Sequence, residues 1–230
     1  MRMISFLAAG AIAATVAAPV SAQPLETPDD RLSYTIGMDI GQSLAEQEMQ
    51  LNVDILVEAL RAAYAGEETR LTQEEALAER DAFMQRRQQQ LEQERGQQAS
   101  INLEEGRAFL AENRGNEGVQ ETPSGLQYRV IEAGEGRSPA ATDRVTVHYR
   151  GTLINGVEFD SSYARNQPAT FGLNQVIPGW TEGVQLMQEG ATYEFFIPAE
   201  LAYGEQGRPG PIGPNSTLIF QVELIEVHND

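Results

Sequence analysis

Leu32, Ile36, Ile40 and Leu44 recur every four residues and draw one apolar stripe along a helix. Gly37 and Gly41 lie one position past Ile36 and Ile40 and widen that stripe into a flat face. Glycine weakens a helix, so two at this spacing point to close backbone packing. A second stripe follows in Leu56, Ala59, Leu60 and Ala63, and Gly66 marks its end. Residues 23–71 therefore read as two helices. So short a segment, with so few large side chains, cannot bury a core alone. Its apolar faces need a partner, and a second copy of the same segment is the simplest.

Thr72 and Glu75 open a third helix with a capping-box pattern. The stretch "RRQQQLEQERGQQAS" within it is polar nearly all round. Such a helix spans solvent between domains, or else it is a frayed linker. A connecting helix over residues 72–115, helical from Gln73 to Asn113, would be roughly 60 Å long. Gly96 is its weak point, and Asn102 could cap a restart ahead of Leu103, Phe109 and Leu110. "NRGNEGVQETPSG" then breaks the pattern and places a linker at residues 116–122.

From Leu126 the texture changes to short strands. "LQYRVIEAG", "RVTVHYRGTL", "GVEFDSS", "TYEFFIPA" and "TLIFQVELIEV" alternate or run apolar between Gly, Pro and Asn turns. One helix-like insert, "PGWTEGVQLM", carries Val184 and Met187 on one side. Residues 123–230 thus read as a β-rich domain with a single short helix.

The stretch "VHYRGTLINGVEFDSS" is a hairpin around Asn155-Gly156, two residues that tolerate positive φ. A two-residue turn pairs Tyr149 with Ser162 and Gly151 with Asp160. Tyr149 and Asp160 then share the apolar face with Val145 and Val147. A carboxylate there needs a hydrogen-bond donor, and the Tyr149 hydroxyl is the nearest candidate. Phe159 falls on the opposite face unless the strand bulges near Asp160. Two readings stay open at this point. One is an ordinary core Tyr and Phe with a turn-forming Asp-Ser-Ser; the other is an aromatic site with a polar wall.

Composition narrows the chemistry. The formal net charge is -18, which repels phosphate backbones and argues against nucleic acid as a partner. All 16 basic residues are Arg; the absence of Lys excludes Schiff-base chemistry and a P-loop lysine. There is no Cys, hence no disulfide, thiol nucleophile or thiolate metal site. The opening "MRMISFLAAGAIAATVAAPVSA" has Arg2 ahead of an apolar run and small residues at its end. It is expected to be a signal peptide over residues 1–22, cleaved after Ala22, with an uncleaved anchor as the alternative. No later apolar stretch is long enough to span a bilayer.

His148 alternates onto the polar side with Thr146 and Arg150, and His228 sits in the tail. Neither lies near a nucleophile motif, and no metal-ligand cluster or cofactor-binding loop is present, so no cofactor or metal is expected. "GEQGRPGPIGPN" is rich in Gly and Pro but has no phosphate-loop context and reads as a stiff surface loop. What remains is aromatic: Tyr149, Phe159, Phe171, Trp180, Tyr203 and Phe220 with one inner carboxylate. Such a set binds an apolar ligand rather than attacking it.

The stretches "VHYRGTL", "GVEFDSS", "FGLNQVIPGWTEGVQLMQEG", "FFIPAELAYGEQG" and "IGPNSTLIFQVELI" match an FKBP-type peptidyl-prolyl cis-trans isomerase in order and spacing. Residues 123–227 resemble that domain over its full length. Residues 24–115 resemble, less specifically, the helical dimerisation region of its exported, macrophage-infectivity-potentiator-like bacterial branch. The resemblance implies an α+β fold: a twisted antiparallel sheet wrapped around one short helix, preceded by an all-α dimerisation region and a long connecting helix. It implies catalytic roles for Tyr149, Phe159, Asp160, Tyr203 and Phe220. It implies substrate binding by Arg165, Phe171, Val176, Ile177, Trp180 and Ile212, with Trp180 as the pocket floor. It implies a homodimer in the periplasm, with association at the outer-membrane surface as an alternative. The implied partners are unfolded proline-containing chains and rapamycin-type macrolides, and the implied activity is isomerisation with chaperoning. Arg208 stands where a His is frequent and Pro211 where an Ile is frequent, which touches specificity at the rim.

Overall fold

A computed structural model describes residues 24–47 and 49–228. The leader expected over residues 1–22 lies outside them. The chain divides into two units at Thr72 and Gln73.

In the first unit α1 spans Pro28–Glu46 and α2 spans Val53–Ala65. Thr27 caps α1: its hydroxyl accepts from the Asp30 N–H at 3.1 Å, and its own N–H donates to the Asp30 carboxylate at 2.9 Å. Asn52 caps α2 with its side chain alone, accepting from the Asp54 and Ile55 N–H groups. Gly66 closes α2 with φ +68, a left-handed turn open to glycine at no steric cost. The stripes read from the sequence stand in the open, with Ile36 51% and Leu60 58% exposed. Gly37, Ile40, Gly41, Leu44, Leu56 and Leu60 line an apolar cleft of about 400 Å³ between the helices.

The second unit opens with α3, Gln73–Asn113, which runs through Gly96 without a break. Asn102 does not cap a restart; it lies mid-helix with its amide turned onto a distant loop. The end of α3 belongs to the sheet. Phe109 packs against Phe196 with ring centroids 6.0 Å apart, and the Asn113 amide donates to Gln127 Oε1 at 2.9 Å.

The sheet is antiparallel throughout. Its strands are β1 (Val119–Glu121), β2 (Gln127–Glu132), β3 (Arg144–Leu153), β4 (Glu158–Ser161), β5 (Ala169–Gly172), β6 (Thr192–Ile197) and β7 (Leu218–His228). The order is β1-β2-β6-β7-β3-β4, with β5 also paired to β3. Four details differ from the sequence reading. β1 falls inside the expected linker; it is three residues without alternation, held by pairing with β2 and by the Arg114–Glu121 ion pair at 2.7 Å. β5 is only four residues long and exists through its pairing with Arg144–Val147 of β3. His228 ends β7 rather than lying in a tail, and its ring bonds Thr146 Oγ1 at 2.8 Å. β7 also slips by one residue opposite Thr146 and Val147, which turns Ile225 outward and breaks the alternation of "LIEV".

One helix, α4 (Pro178–Gln185), lies against this sheet. It approaches β6 at two glycines. A Cβ on Gly179 would sit 2.4 Å from Ile197 Cγ2, and one on Gly183 would sit 2.7 Å from the Phe195 ring. Val184 and Met187 face the core with Val145, Val147, Phe195, Val222 and Leu224, all fully buried. Close seating of α4 fixes Trp180, which is only 4% exposed, beneath the opening between helix and sheet.

Candidate active site

The hairpin that raised the question is built differently at its tip and as expected at its centre. The loop is closed between Leu153 and Val157, with Gly156 at φ +85 and its N–H on the Leu153 carbonyl at 2.9 Å. It therefore encloses three residues, not two. Asn155 does not take positive φ; its side chain instead accepts from the Val157 N–H at 3.1 Å. Thr152 then pairs with Glu158, but Gly151 pairs with Asp160. The extra residue on β4 is Phe159. This bulge offsets the longer loop, so Gly151 and Asp160 pair in the register of a two-residue turn. Gly151 leaves room for the displaced ring: a Cβ there would sit 2.6 Å from Phe159 Cε2 and 2.7 Å from Phe220 Cε1.

Ser162 ends the strand. Its hydroxyl accepts from the Tyr149 N–H at 2.8 Å and lies 2.9 Å from His148 Nδ1. The two serines of the "FDSS" stretch thus turn the chain while Asp160 stays beside Tyr149.

The Tyr149 hydroxyl donates to Asp160 Oδ2 at 2.6 Å. Arg165 closes the group, donating to Asp160 Oδ1 at 2.6 Å and to the Tyr149 oxygen at 2.8 Å. Partial burial pushes the Asp160 carboxyl up, but the hydrogen bonds from Tyr149 and Arg165 outweigh it and hold its pKa below the ordinary value. Burial and the neighbouring carboxylate push the Tyr149 phenol above its ordinary range. At neutral pH the wall is therefore a charged carboxylate, a protonated phenol and a guanidinium.

The cleft beside this wall has a volume of about 490 Å³. Trp180 is its centre. Tyr149, Phe171 and Phe220 stand edge-on to the indole at interplanar angles of 86°, 87° and 85°, with centroids 5.4, 5.8 and 5.2 Å away. Phe159 in turn stands at 81° to Phe220. The rings are walls at right angles to a floor, an edge-to-face arrangement favoured by the aromatic quadrupole. Val176, Ile177, Tyr203 and Asp160 also line it. Ile177 is the N-cap of α4, and its N–H has no partner among the described residues.

The structure brings together Tyr149, Phe159, Asp160, Phe171, Val176, Ile177, Trp180, Tyr203 and Phe220, with Arg165 behind Asp160. Ile212 is placed elsewhere: it is 5% exposed, belongs to the core and does not line the cleft. Gln175 lines it and was missed. It ends the short 3-10 turn Leu173–Gln175 between β5 and α4, a turn no periodicity announces. Arg208 also faces the cleft, stacked over Tyr203 at 5.7 Å. Among the described residues no cluster of His, Asp and Glu could hold a metal. No helix among them is long and apolar enough to cross a membrane.

Fold and cleft together define an FKBP-type isomerase architecture, and the comparisons agree. The family model described as FKBP-type peptidyl-prolyl cis-trans isomerase matches residues 135–225. That described as the domain amino terminal to FKBP-type peptidyl-prolyl isomerase matches residues 29–130. The chain is 42% identical over 227 residues to "Outer membrane protein MIP" of Legionella longbeachae, covering 99% of this chain and 97% of that one. It is 44% identical over 225 residues to "Peptidyl-prolyl cis-trans isomerase Mip" of Coxiella burnetii, covering 98% and 97%. Among solved structures, FkpA from Escherichia coli superposes with a TM-score of 0.76 at 39% identity, covering 88% of this chain and 97% of that one. The chain belongs to the FKBP-type peptidyl-prolyl cis-trans isomerase family, with the family's amino-terminal helical domain.

Proposed function

We propose that the protein rotates X-Pro peptide bonds in the aromatic cleft over Trp180. The observation that carries this reading is the set of rings standing at right angles to the indole, beside a single tethered carboxylate. The planar amide is held by resonance, with a barrier of roughly 18–20 kcal/mol. Resonance places charge on its oxygen, and a dry aromatic cleft favours the twisted amide, which carries less. No covalent step is required. Trp180 and Phe220 hold the proline ring. The free Ile177 N–H and the Tyr203 hydroxyl hold flanking carbonyls. The Tyr203 oxygen already accepts from Arg208 Nη1 at 3.3 Å, which leaves its proton to donate. A barrier lowered by about 7 kcal/mol would speed rotation roughly 10⁵-fold.

Its clients are proline-containing chains not yet folded. A second copy covers the exposed stripes of α1 and α2, where the space above Gly37 and Gly41 is open to another backbone. Two linked clefts also favour a holding, chaperone-like role. The leader pattern, together with the outer-membrane name of one relative, supports action in the periplasm. Isomerisation of a blocked Leu-Pro tetrapeptide, run beside an aggregation assay on a proline-free client, tests the reading. Protection of the client with no peptide isomerisation would leave a holdase and remove the enzyme.

A further inference from the structure

Residues 204–215 form the outer rim of the cleft, and α3 grips them from outside. Within the loop the Asn215 N–H closes the base on the Gly204 carbonyl at 2.8 Å, and the Arg208 N–H bonds the Ile212 carbonyl at 2.8 Å. Pro209, Pro211 and Pro214 stiffen the segment further. From the helix, Arg95 Nη2 donates to the Gln206 carbonyl at 2.8 Å, and Asn102 Nδ2 donates to the Pro214 carbonyl at 2.7 Å. In return Asn215 Nδ2 donates to the Ala99 carbonyl at 3.3 Å. Gln98 Nε2 bonds Asn102 Oδ1 at 2.8 Å, which orients that amide with its N–H groups toward Pro214. One turn on, helix and loop exit are in contact: a Cβ on Gly106 would lie 2.3 Å from Thr217 Oγ1.

On the side facing the cleft, this segment and the residue before it deliver Tyr203 and Arg208. Arg95 and Asn102 touch neither the cleft nor those two side chains. A spacer helix has no need of such bonds, because Phe109 and Asn113 already dock α3 on the sheet. Nor would helix stability select an asparagine at mid-helix, where it ranks below Ala, Gln or Glu.

We propose that residues 95–106 of α3 clamp the rim, and that Asn102 and Arg95 are positioning residues for substrate recognition by Tyr203 and Arg208. The clamp rests on the reading of the cleft as the proline site. It makes α3 a working part of that site rather than a tether. A rim freed from the helix samples positions in which the Tyr203 hydroxyl misses the substrate carbonyl. The loss falls on binding more than on the rotation step over Trp180.

The test uses the full mature chain. Asn102→Asp keeps the shape but replaces the donor with an acceptor facing the Pro214 carbonyl. Arg95→Ala removes an exposed side chain that no fold depends on, and Arg95→Lys restores a donor. Steady-state kinetics on a blocked Leu-Pro tetrapeptide are read beside amide hydrogen exchange. Asn102→Asp should raise KM about fivefold, the scale of one lost hydrogen bond, with kcat little changed. Exchange should quicken in residues 204–215 and not in β3 or β7. Arg95→Ala should do the same more weakly, and Arg95→Lys should restore it. Wild-type KM in both Asn102→Asp and Arg95→Ala would overturn the clamp, as would unchanged loop exchange or a rise spread through β3 and β7. A wild-type chain inactive on the peptide would sink the reading of the cleft instead, and loop exchange would still decide the clamp.

Discussion

The Tyr149 hydroxyl donates to Asp160 Oδ2 at 2.6 Å, across two strands whose register is set by a bulge at Phe159. One extra residue therefore does two things: it brings the Phe159 ring to the cleft and keeps the carboxylate opposite Gly151. Phe159→Ala should remove a wall, and Asp160→Leu should remove the acceptor that orients Tyr149 and Arg165. Each should lower kcat/KM on a proline tetrapeptide by roughly tenfold or more, about 1.4 kcal/mol of transition-state binding. Circular dichroism should not change, because both side chains are only partly buried and lie at the wall of the cleft rather than in the core. Full activity in both variants would mean that the cleft is misassigned.

The pH dependence follows from the same group. The Asp160 pKa is depressed below 3.8 in the folded chain, so its ionised form is the favoured one. Its contribution is complete above the unfolded value and is lost only as pH falls through the lower, folded value. Tyr149 is raised, so its proton stays in place through neutral pH and beyond 10. Ligand affinity should therefore be flat from about pH 5 to 9 and fall only in acid. Trp180 is the only tryptophan, and quenching of its fluorescence by a proline ligand reads this directly. A midpoint near neutrality would implicate another group.

Gly151 makes a sharper test of the bulge. Its missing side chain is the space in which the Phe159 and Phe220 rings stand. Gly151→Ala should force both rings apart, cost about 1–3 kcal/mol of stability and weaken peptide binding. Thermal melting and the Trp180 titration should shift together. A melt lowered without loss of binding would separate packing from function.

Much of this could be read from the residues because two periodicities were clean. The four-residue spacing of Leu32 to Leu44 gave α1, and the alternation through Val145, Val147 and Tyr149 gave β3. β1 and β5 were illegible because three or four residues carry no period, and their partners alone make them strands. The Tyr149–Asp160 pair could be reasoned from register, although the turn was one residue longer than expected and the bulge restored the count. Ile212 was assigned to the site by motif, and its side chain went into the core. Asn102 illustrates the opposite failure. Its local role, a cap, was the only one its neighbours could suggest, since Pro214 is a partner far away in sequence.

Dimerisation should belong to residues 23–71, whose stripes have no core of their own to join. A chain beginning at Gln93 keeps Arg95 and Asn102 on the rim and Phe109 and Asn113 on the sheet. It should sediment as a monomer and isomerise a tetrapeptide within about twofold of the full chain. It should refold a proline-limited protein less well, because two linked sites raise the effective concentration on one client. A chain beginning at Gly118 also loses Phe109 from Phe196 and should melt earlier. Sedimentation of the mature protein as a monomer at micromolar concentration would remove the dimer.

The cleft should also take rapamycin-type macrolides, whose pipecolyl ring is a saturated cyclic amine like that of proline, larger by one methylene. The floor and walls offered to that ring are Trp180, Tyr149, Phe171 and Phe220, with the Ile177 N–H and Tyr203 hydroxyl at the edge. Contact with Trp180 is apolar and should dominate. The rim gives less: Pro211 is exposed, and Arg208 lies over Tyr203 at 5.7 Å. Pro211→Ile should add about 1 kcal/mol of apolar contact, or several-fold in Kd. Trp180→Ala should weaken binding far more than Pro211→Ile strengthens it, since it removes the surface on which three rings are ordered. Calorimetric titration of the two variants and the wild type sets the order. Silence from the wild type at tens of micromolar ligand would mean that Arg208 and its loop, rather than the indole, control entry.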